Sequence, residues 1–145
     1  VAQDLQKAAQ WVRKAADQGH AKARCTIGEL YYYGEGVNQD HKKAAQWFRK
    51  AADQGHATAQ FELGGIYHRG EEVAQDPQKA AQWVRKAADQ GHADAQTARC
   101  TLGDMYYYGE GVHQDHKKAA QWFRTGLVSR TTVATELLKT FRSRR

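Results

Sequence analysis

The sequence predicts an all-α fold, an open α-solenoid of antiparallel helix pairs. Trp11, Trp47 and Trp83 recur at intervals of 36 residues, and Trp122 follows Trp83 after 39 residues. A fixed period of this size indicates units that stack on one another rather than a chain closed around one core. Each period contains two apolar stretches at helical spacing, separated by glycine-containing turns, so each unit is expected to be a helix pair.

The unit at residues 21–56 shows how the first helix of each pair is specified. A helix is expected over 21–33, where Ile27 and Tyr31 share one helical face and no proline interrupts the pattern. The segment 34–40 contains two glycines, an asparagine and an aspartate, a composition typical of a loop.

The second helix of this unit is expected to begin at Asp40. Its carboxylate is predicted to cap the helix by accepting hydrogen bonds from free N–H groups of the first turn. Pro77, the one proline in the chain, follows the matching aspartate of the next unit, at a position where its missing donor does no harm. Gly55 is expected to end the helix in a left-handed conformation, as are Gly19 and Gly91. Loops this short make successive helices antiparallel.

The same pattern places the remaining elements. Helices are expected over 4–18, 21–33, 40–54, 57–69, 76–90, 93–108 and 115–125. A capping helix is expected over 131–142, because its apolar residues form a stripe that could cover the last face of the stack. The array is divided into a half repeat at 1–20, repeats at 21–56, 57–92 and 93–126, and a basic tail at 127–145.

Three local features test this scheme. Gly28, Gly64 and Gly103 recur in mid-helix, which predicts that each makes room for a bulky neighbour, Trp47 or its equivalents. Glu72 stands where the other units have glycine, so it is expected to be strained or its loop rearranged. Three extra residues within 93–100 are expected to lengthen the start of that helix and to leave the face from Leu102 onward intact.

The charge pattern bounds the classes of partner. The net charge is +6, but residues 124–145 carry +5 of it and the repeats carry only +1. A nucleic-acid-binding array would show a basic stripe, so no nucleic-acid partner is expected. No run of 18 apolar residues occurs, so no membrane span is expected.

The reactive side chains predict neither a metal site, nor a cofactor, nor an enzyme. Cys25 and Cys100 fall two repeats apart, roughly 20 Å at the spacing of stacked helices, so two buried free thiols are expected. The histidines that follow the turn glycines lie one unit apart, and His113 with His116 supplies at most two ligands. No catalytic motif is present, and both serines lie in the tail.

Three stretches resemble a known repeat. These are Ala57–Tyr67, Lys79–Gly91 and Gly109–Asp115, and together with their copies they resemble the Sel-one-like repeat, a relative of the tetratricopeptide repeat, over about residues 1–124. The resemblance implies a right-handed solenoid that acts as a non-catalytic protein–protein interaction scaffold. It further implies that a protein or peptide binds the concave surface lined by the first helices.

The partner-binding residues are then expected among the first-helix positions that packing does not use. Exposed tyrosines suit this role because they offer a large contact area and a hydroxyl group. The alternative is that the tyrosines pack against the next unit. The candidates are Thr26, Glu29, Tyr32, Tyr33, Glu62, His68, Arg69, Thr101, Asp104, Tyr107 and Tyr108.

Two other functions stay open at this stage. A cysteine-rich branch of the resembled family has been linked to β-lactams, which leaves a β-lactam-interacting binder or hydrolase as an alternative, although the paired cysteines are missing here. The chain could also be a structural module of a longer repeat protein, because Ala2–His20 and Ala74–His92 differ at one position and Val1 matches a mid-repeat residue. The half repeat lacks a partner helix, so self-association through its bare face is a further expectation.

Overall fold

The computed structural model describes residues 2–90 and 95–126, and all regular structure in these ranges is helical. The helices are α1 (Ala2–Asp17), α2 (Ala21–Tyr33), α3 (His41–Asp53), α4 (Ala57–Arg69), α5 (Pro77–Ala88), α6 (Ala95–Tyr108) and α7 (His116–Gly126). These bounds confirm the predicted helices to within two residues. The expected capping helix over 131–142 lies outside the described residues.

The second helices begin at the aspartates that the sequence indicated. Asp40 accepts a hydrogen bond from the backbone N–H of Lys43, and Asp76 accepts one from that of Lys79, each at 3.0 Å. Pro77 is the first residue of α5. Asp115 caps α7 in the same way, so each of the three complete pairs has the predicted start to its second helix.

The turns between units also follow the prediction where they are described. Gly19 and Gly55 adopt φ of 97° and 91°. These positive values are the left-handed conformation that commonly ends a helix and that glycine adopts readily. Gly91 lies outside the described residues. The loop of the middle unit is not rearranged, because Glu72 itself adopts φ 58° and so reproduces the conformation of Gly36, whose φ is 73°.

Each pair is held by an apolar seam between its two helices. The pairs are α2 with α3, α4 with α5, and α6 with α7, while α1, α3 and α5 each pack on the next first helix. Ala44 and Phe48 of α3 are 0% and 1% exposed, and Trp47 is 8% exposed. Burial of a large apolar side chain such as that of Phe48 contributes about 1.5–3 kcal/mol, so this seam stabilises the pair.

The recurrent mid-helix glycines make room for a different neighbour from the one predicted. A Cβ atom at Gly28 would lie 2.9 Å from the ring of Phe48, and one at Gly103 would lie 2.8 Å from the ring of Phe123. At Gly64 the neighbour is Val84, at 2.8 Å. The prediction named the tryptophan, but the side chain one residue later occupies the space.

Hydrogen bonds from side chains join each unit to the one before it. Gln54 donates from its amide to the carbonyl of Gly19 at 2.7 Å, and Gln90 donates to that of Gly55 at 2.8 Å. Gly19 and Gly55 lie in the turns after α1 and α3, so these bonds connect successive turns of the stack. A second set runs from Arg24, Gln60 and Arg99 to the carbonyls of Ala16, Ala52 and Ala88.

The inserted residues leave the packing of α6 as predicted. Leu102 is 1% exposed and matches Ile27 of α2, which is also 1% exposed. Gly103 faces Phe123 of α7 as Gly28 faces Phe48 of α3. The face of α6 from Leu102 onward is therefore intact.

Candidate partner-binding face

The candidate residues all lie on the first helices, α2, α4 and α6. We call the surface formed by the side chains of α2, α4 and α6 that face away from the second helices the first-helix face. Its members range from the exposed Tyr33 and Tyr108, at 63% and 66%, to half-buried residues such as Glu29 and Glu62. Such a mixture offers both aromatic surface and charge to a ligand.

A hydrogen-bonded cluster connects the first two complete units across this face. The hydroxyl of Tyr32 donates to the carboxylate of Glu71 at 2.9 Å. Arg69 donates from Nε to the same carboxylate at 2.8 Å, and its guanidinium lies 3.3 Å from the Tyr32 hydroxyl. Two predicted residues, Tyr32 and Arg69, are thus brought together by Glu71, which lies in the loop after α4.

The four tyrosines divide into two roles. Tyr32 stacks on His41, with ring centres 4.6 Å apart, and Tyr107 stacks on His116 at 4.8 Å. These two are half-buried against their own second helices. Tyr33 and Tyr108 each make an edge contact with the preceding tyrosine, at 5.0 and 4.9 Å, and remain open to a partner. Tyr32 and Tyr107 thus pack within their own units rather than against the next unit, and of these two tyrosines only Tyr32 also makes a described hydrogen bond to the next unit, through Glu71.

Glu29, Glu62 and the thiol of Cys25 form an acidic cluster between α2 and α4. Burial, and after it the charge of Glu29, raises the pKa of the Glu62 carboxyl. Burial, with a smaller contribution from Glu35, raises the pKa of Glu29. Burial and the two carboxylates raise the pKa of the Cys25 thiol to about 12. The thiol is therefore protonated at neutral pH and a poor nucleophile.

The remaining candidates on α6 and α4 are less engaged with one another. Asp104 is exposed as a whole residue, but partial burial of its carboxyl and the charge of Glu110 raise its pKa. The hydroxyl of Thr101 donates to the carbonyl of Thr97 at 2.9 Å, and Thr26 makes the same bond to Lys22. These hydroxyls are used within their own helices. His68 is exposed, at the end of α4.

Sequence reasoning missed the acids of the loops and the histidines of the second helices on which Tyr32 and Tyr107 stack. Glu35, Glu71 and Glu110 recur at one position of successive units, and that periodicity could have drawn attention to them. His41 and His116 likewise share one position. Their use in stacking depends on the angle between the two helices of a pair, which sequence spacing does not give.

Both cysteines are free, Cys25 is buried as predicted, and Cys100 is only half-buried, which corrects that part of the prediction. Across residues 2–90 and 95–126, no three histidine, cysteine or acidic side chains lie close enough together to hold a metal ion. In the same ranges no helix is long and apolar enough to cross a bilayer.

Two equivalent clefts lie at boundaries between successive units. One, of about 910 Å³, lies between α1 and the loop after α2, and the other, of about 550 Å³, between α5 and the loop after α6. Arg13 in the first and Arg85 in the second donate to the hydroxyls of Tyr31 and Tyr106. Neither lining includes a serine, threonine or cysteine. The clefts therefore lack a serine, threonine or cysteine nucleophile, and the tyrosine hydroxyls that they contain accept hydrogen bonds from arginine.

Comparison with known proteins identifies the repeat. A sequence model of the Sel1 repeat matches residues 1–20, 21–56, 57–92 and 95–126. The chain belongs to the Sel1 repeat family. Sel1 repeats are commonly protein-interaction scaffolds and generally non-catalytic. None of the curated proteins matches this Sel1 repeat chain significantly.

Solved structures of other Sel1 repeat proteins share the fold. The protective antigen c5321 of uropathogenic Escherichia coli, which displays an SLR fold, is 32% identical with a TM-score of 0.87, over 96% of this chain and 29% of that one. A Sel1 repeat protein from Oxalobacter formigenes is 33% identical with a TM-score of 0.83, over 97% of this chain and 56% of that one. Helicobacter pylori cysteine rich protein B is 28% identical with a TM-score of 0.68, over 94% and 96%. The chain thus spans about a third to a half of the first two.

Proposed function

We propose that this Sel1 repeat array is a non-catalytic adaptor that binds a protein or peptide on the first-helix face. The observation that carries the proposal is the pair of exposed aromatic side chains, Tyr33 and Tyr108, at 63% and 66% exposure. Both stand at the last position of a first helix, with a half-buried tyrosine fixed behind each. Aromatic residues on a rigid helix contribute contact area at a small cost in conformational entropy.

The charges on this face favour a partner with cationic side chains. Glu29 and Glu62 raise the free energy of the unbound array because they are close together and partly removed from water. A lysine or arginine of a ligand placed between them would relieve that repulsion. The positive charge of Arg69 partly offsets the repulsion at Glu62, but Arg69 is already paired with Glu71 at 2.8 Å.

The β-lactam alternative receives less support. The linings of the two clefts contain no serine, threonine or cysteine, and the Cys25 thiol has a pKa of about 12 and is buried. Turnover of a chromogenic β-lactam by the purified chain would revive this alternative. The structural-module alternative concerns a longer chain and is compatible with binding on the first-helix face.

A peptide array tests the adaptor proposal directly. Extended peptides of matched length and hydrophobicity, carrying lysine, glutamate or neither, are probed with the chain and with a Tyr33→Ala/Tyr108→Ala variant. The control variant is Gln46→Ala/Gln82→Ala, which changes exposed residues on the second helices instead. We expect the chain and the control to retain lysine-bearing peptides at low salt and the tyrosine variant to lose them. Equal binding by all three proteins would refute the assignment of the face.

A further inference from the structure

The three boundaries between successive units are not built alike. They lie between α1 and α2, between α3 and α4, and between α5 and α6, and we call the second of them the middle boundary. In the first and third, a glycine of the loop after the first helix packs on the preceding second helix. An added Cβ at Gly36 would lie 2.8 Å from the carbonyl carbon of Leu5, and one at Gly111 would lie 2.5 Å from that of Pro77. These two boundaries therefore close only because the loop carries no side chain there.

The middle boundary has Glu72 at the corresponding place. Glu72 adopts φ 58°, close to the 73° of Gly36 and the 71° of Gly111, so its Cβ points where those glycines leave space for the neighbouring backbone. The residue of α3 that takes the place of Leu5 is His41. Because a Cβ cannot approach a carbonyl this closely, the loop after α4 must stand farther from the start of α3 than its counterparts stand from α1 and α5.

The side chains beneath this loop fit a wider spacing. Ala45 of α3 is 9% exposed, whereas its counterparts Ala9 and Ala81 are 3% and 4% exposed. In each of the two clefts an arginine donates to a tyrosine hydroxyl, at 3.2 and 3.3 Å. The corresponding residues of the middle boundary are Arg49 and Tyr67, and among the described residues no hydrogen bond joins them. Tyr67 is half-buried, whereas both of its counterparts are buried.

Different contacts hold the two ends of the middle boundary. At the end near the loop, Glu71 accepts hydrogen bonds from Tyr32 and Arg69, and all three side chains are partly or fully exposed. Exposed polar contacts of this kind contribute little to stability. At the end near the turn after α3, Gln60 donates to the carbonyl of Ala52 at 3.2 Å and is itself buried. The turn end is therefore fixed more firmly than the loop end.

We propose that the middle boundary is a hinge, which opens at the loop end, where Glu72 holds the units apart, and pivots at the turn end. The pair of α2 and α3 then tilts against the pair of α4 and α5. Glu29 of α2 and Glu62 of α4 lie on opposite sides of the hinge, so its opening changes the spacing of groups on the first-helix face. The hinge rests on packing alone, so it and the adaptor proposal can fail independently.

Thiol labelling of the folded chain tests the hinge. Ala45→Cys places a thiol under the middle boundary, and Ala81→Cys places one at the matching position of the third boundary. Each is combined with Glu72→Gly, which permits the close approach, and with Glu72→Ala, which keeps the Cβ and removes the carboxylate. Peptide mass spectrometry measures the label at each introduced thiol separately from the native Cys25 and Cys100.

We expect Glu72→Gly to slow the labelling at position 45 by about tenfold, the factor that corresponds to the strain of a left-handed residue other than glycine. The rate at position 81 should stay the same, and Glu72→Ala should leave both rates as they are. The proposal is overturned if Glu72→Gly leaves the rate at position 45 unchanged. Equal slowing at both positions also overturns it, because the substitution would then act on global unfolding. So does equal slowing by Glu72→Ala, since the charge rather than the Cβ would then hold the units apart.

Discussion

The guanidinium of Arg13 in α1 lies 5.1 Å above the ring centre of Trp47, two helices along the chain in α3. The ammonium of Lys50 lies 4.5 Å from the same ring. The next unit repeats the arrangement, with Arg49 at 5.4 Å and Lys86 at 4.4 Å from Trp83. These basic residues therefore pack over the aromatic rings where one unit meets the next.

Replacing Arg49 with glutamine is expected to lower the free energy of unfolding by about 0.5–1 kcal/mol, the value of an exposed cation–π contact. The measurement is chemical denaturation in a double-mutant cycle with Trp83→Leu, which removes the aromatic ring and so isolates the coupling between the two side chains. Asp53→Asn is the control, because it removes the exposed ion pair of Arg49 at 3.3 Å and should cost about 0–0.5 kcal/mol. A coupling energy of zero would mean that the ring contact does not stabilise the seam.

Alanine should lower the free energy of unfolding at Gly64 of α4 and raise it at the adjacent Gly65. At Gly64 the new Cβ meets Val84 at 2.8 Å and the carbonyl of Ala80 at 3.2 Å, and such overpacking costs about 1–3 kcal/mol. At Gly65 the nearest atom is the guanidinium of Arg69 at 3.0 Å, which can move away. Gly65→Ala should then gain up to about 1 kcal/mol of helix propensity.

Thermal unfolding of the two single variants checks this pair. Gly64→Ala is expected to melt below the parent chain and Gly65→Ala at or above it. Shifts of the same sign in both variants would show that the close approach of α4 to α5 does not govern the response.

Glu72→Gly is expected to stabilise the chain by about 1 kcal/mol. Glu72 adopts φ 58°, a region that costs a non-glycine residue about 1–2 kcal/mol, and part of the gain is lost to the greater freedom of glycine in the unfolded chain. Glu72→Ala is the control, since it removes the carboxylate but keeps the Cβ. If alanine stabilises as much as glycine in urea denaturation, the effect belongs to the charge rather than to the backbone.

Trp83 and Trp11 occupy the same position in α5 and α1, but alanine should change the free energy of unfolding by very different amounts at the two sites. Trp83→Ala removes a buried ring and should cost about 3–5 kcal/mol. Trp11→Ala acts on a ring that is 70% exposed and should change the stability by no more than about 0.5 kcal/mol. Denaturation curves of both variants at low protein concentration provide the comparison, and a large loss in Trp11→Ala would show that the ring is covered in solution.

Glu62 and Glu71 should give opposite pH dependences. The pKa of Glu62 is raised above its ordinary value of 4.5, so its contribution to stability is fully present below pH 4.5 and is lost as the pH rises through the raised value. Glu62→Gln is therefore expected to be more stable than the parent chain at pH 7 and equal to it near pH 4.

Glu71 is the matched control. Burial opposes its ionisation, but hydrogen bonds from Tyr32 and Arg69 outweigh that effect and lower its pKa. Its contribution is present above pH 4.5 and is lost as the pH falls through the lowered value. Glu71→Gln should be less stable than the parent at pH 7, with the difference vanishing in acid. Parallel pH profiles for the two variants would contradict these assignments.

The sequence was sufficient for the helices and for the aspartate caps of the second helices, but not for the His56 cap of α4 or for contacts between neighbouring side chains. The 36-residue period, the aspartates before the second helices and the turn glycines act locally, so they predicted every helix of the described ranges. The partner of Gly28 was missed because Trp47 and Phe48 are adjacent, and the rotation of one helix about its axis decides which of them faces the glycine.

The candidate face was harder to predict for the same reason. The sequence drew attention to Tyr32 and Arg69 but not to Glu71, which joins them from a loop of the next unit. Loop side chains follow no helical period, so their contacts become visible only when the offset between units is known. The unequal exposure of Tyr32 and Tyr33, which are adjacent in sequence, likewise depends on where His41 lies.

The middle unit breaks the translational symmetry of the array, since Arg69 takes the position that Tyr33 and Tyr108 hold in the flanking units. On three equal units, an extended ligand could slide by one unit and find the same groups again. In this chain, a ligand group that contacts Tyr33 or Tyr108 would, after a shift of one unit, meet the guanidinium of Arg69, which is paired with Glu71. If a ligand binds the first-helix face as proposed, this difference between the units would favour one position of the ligand along the stack.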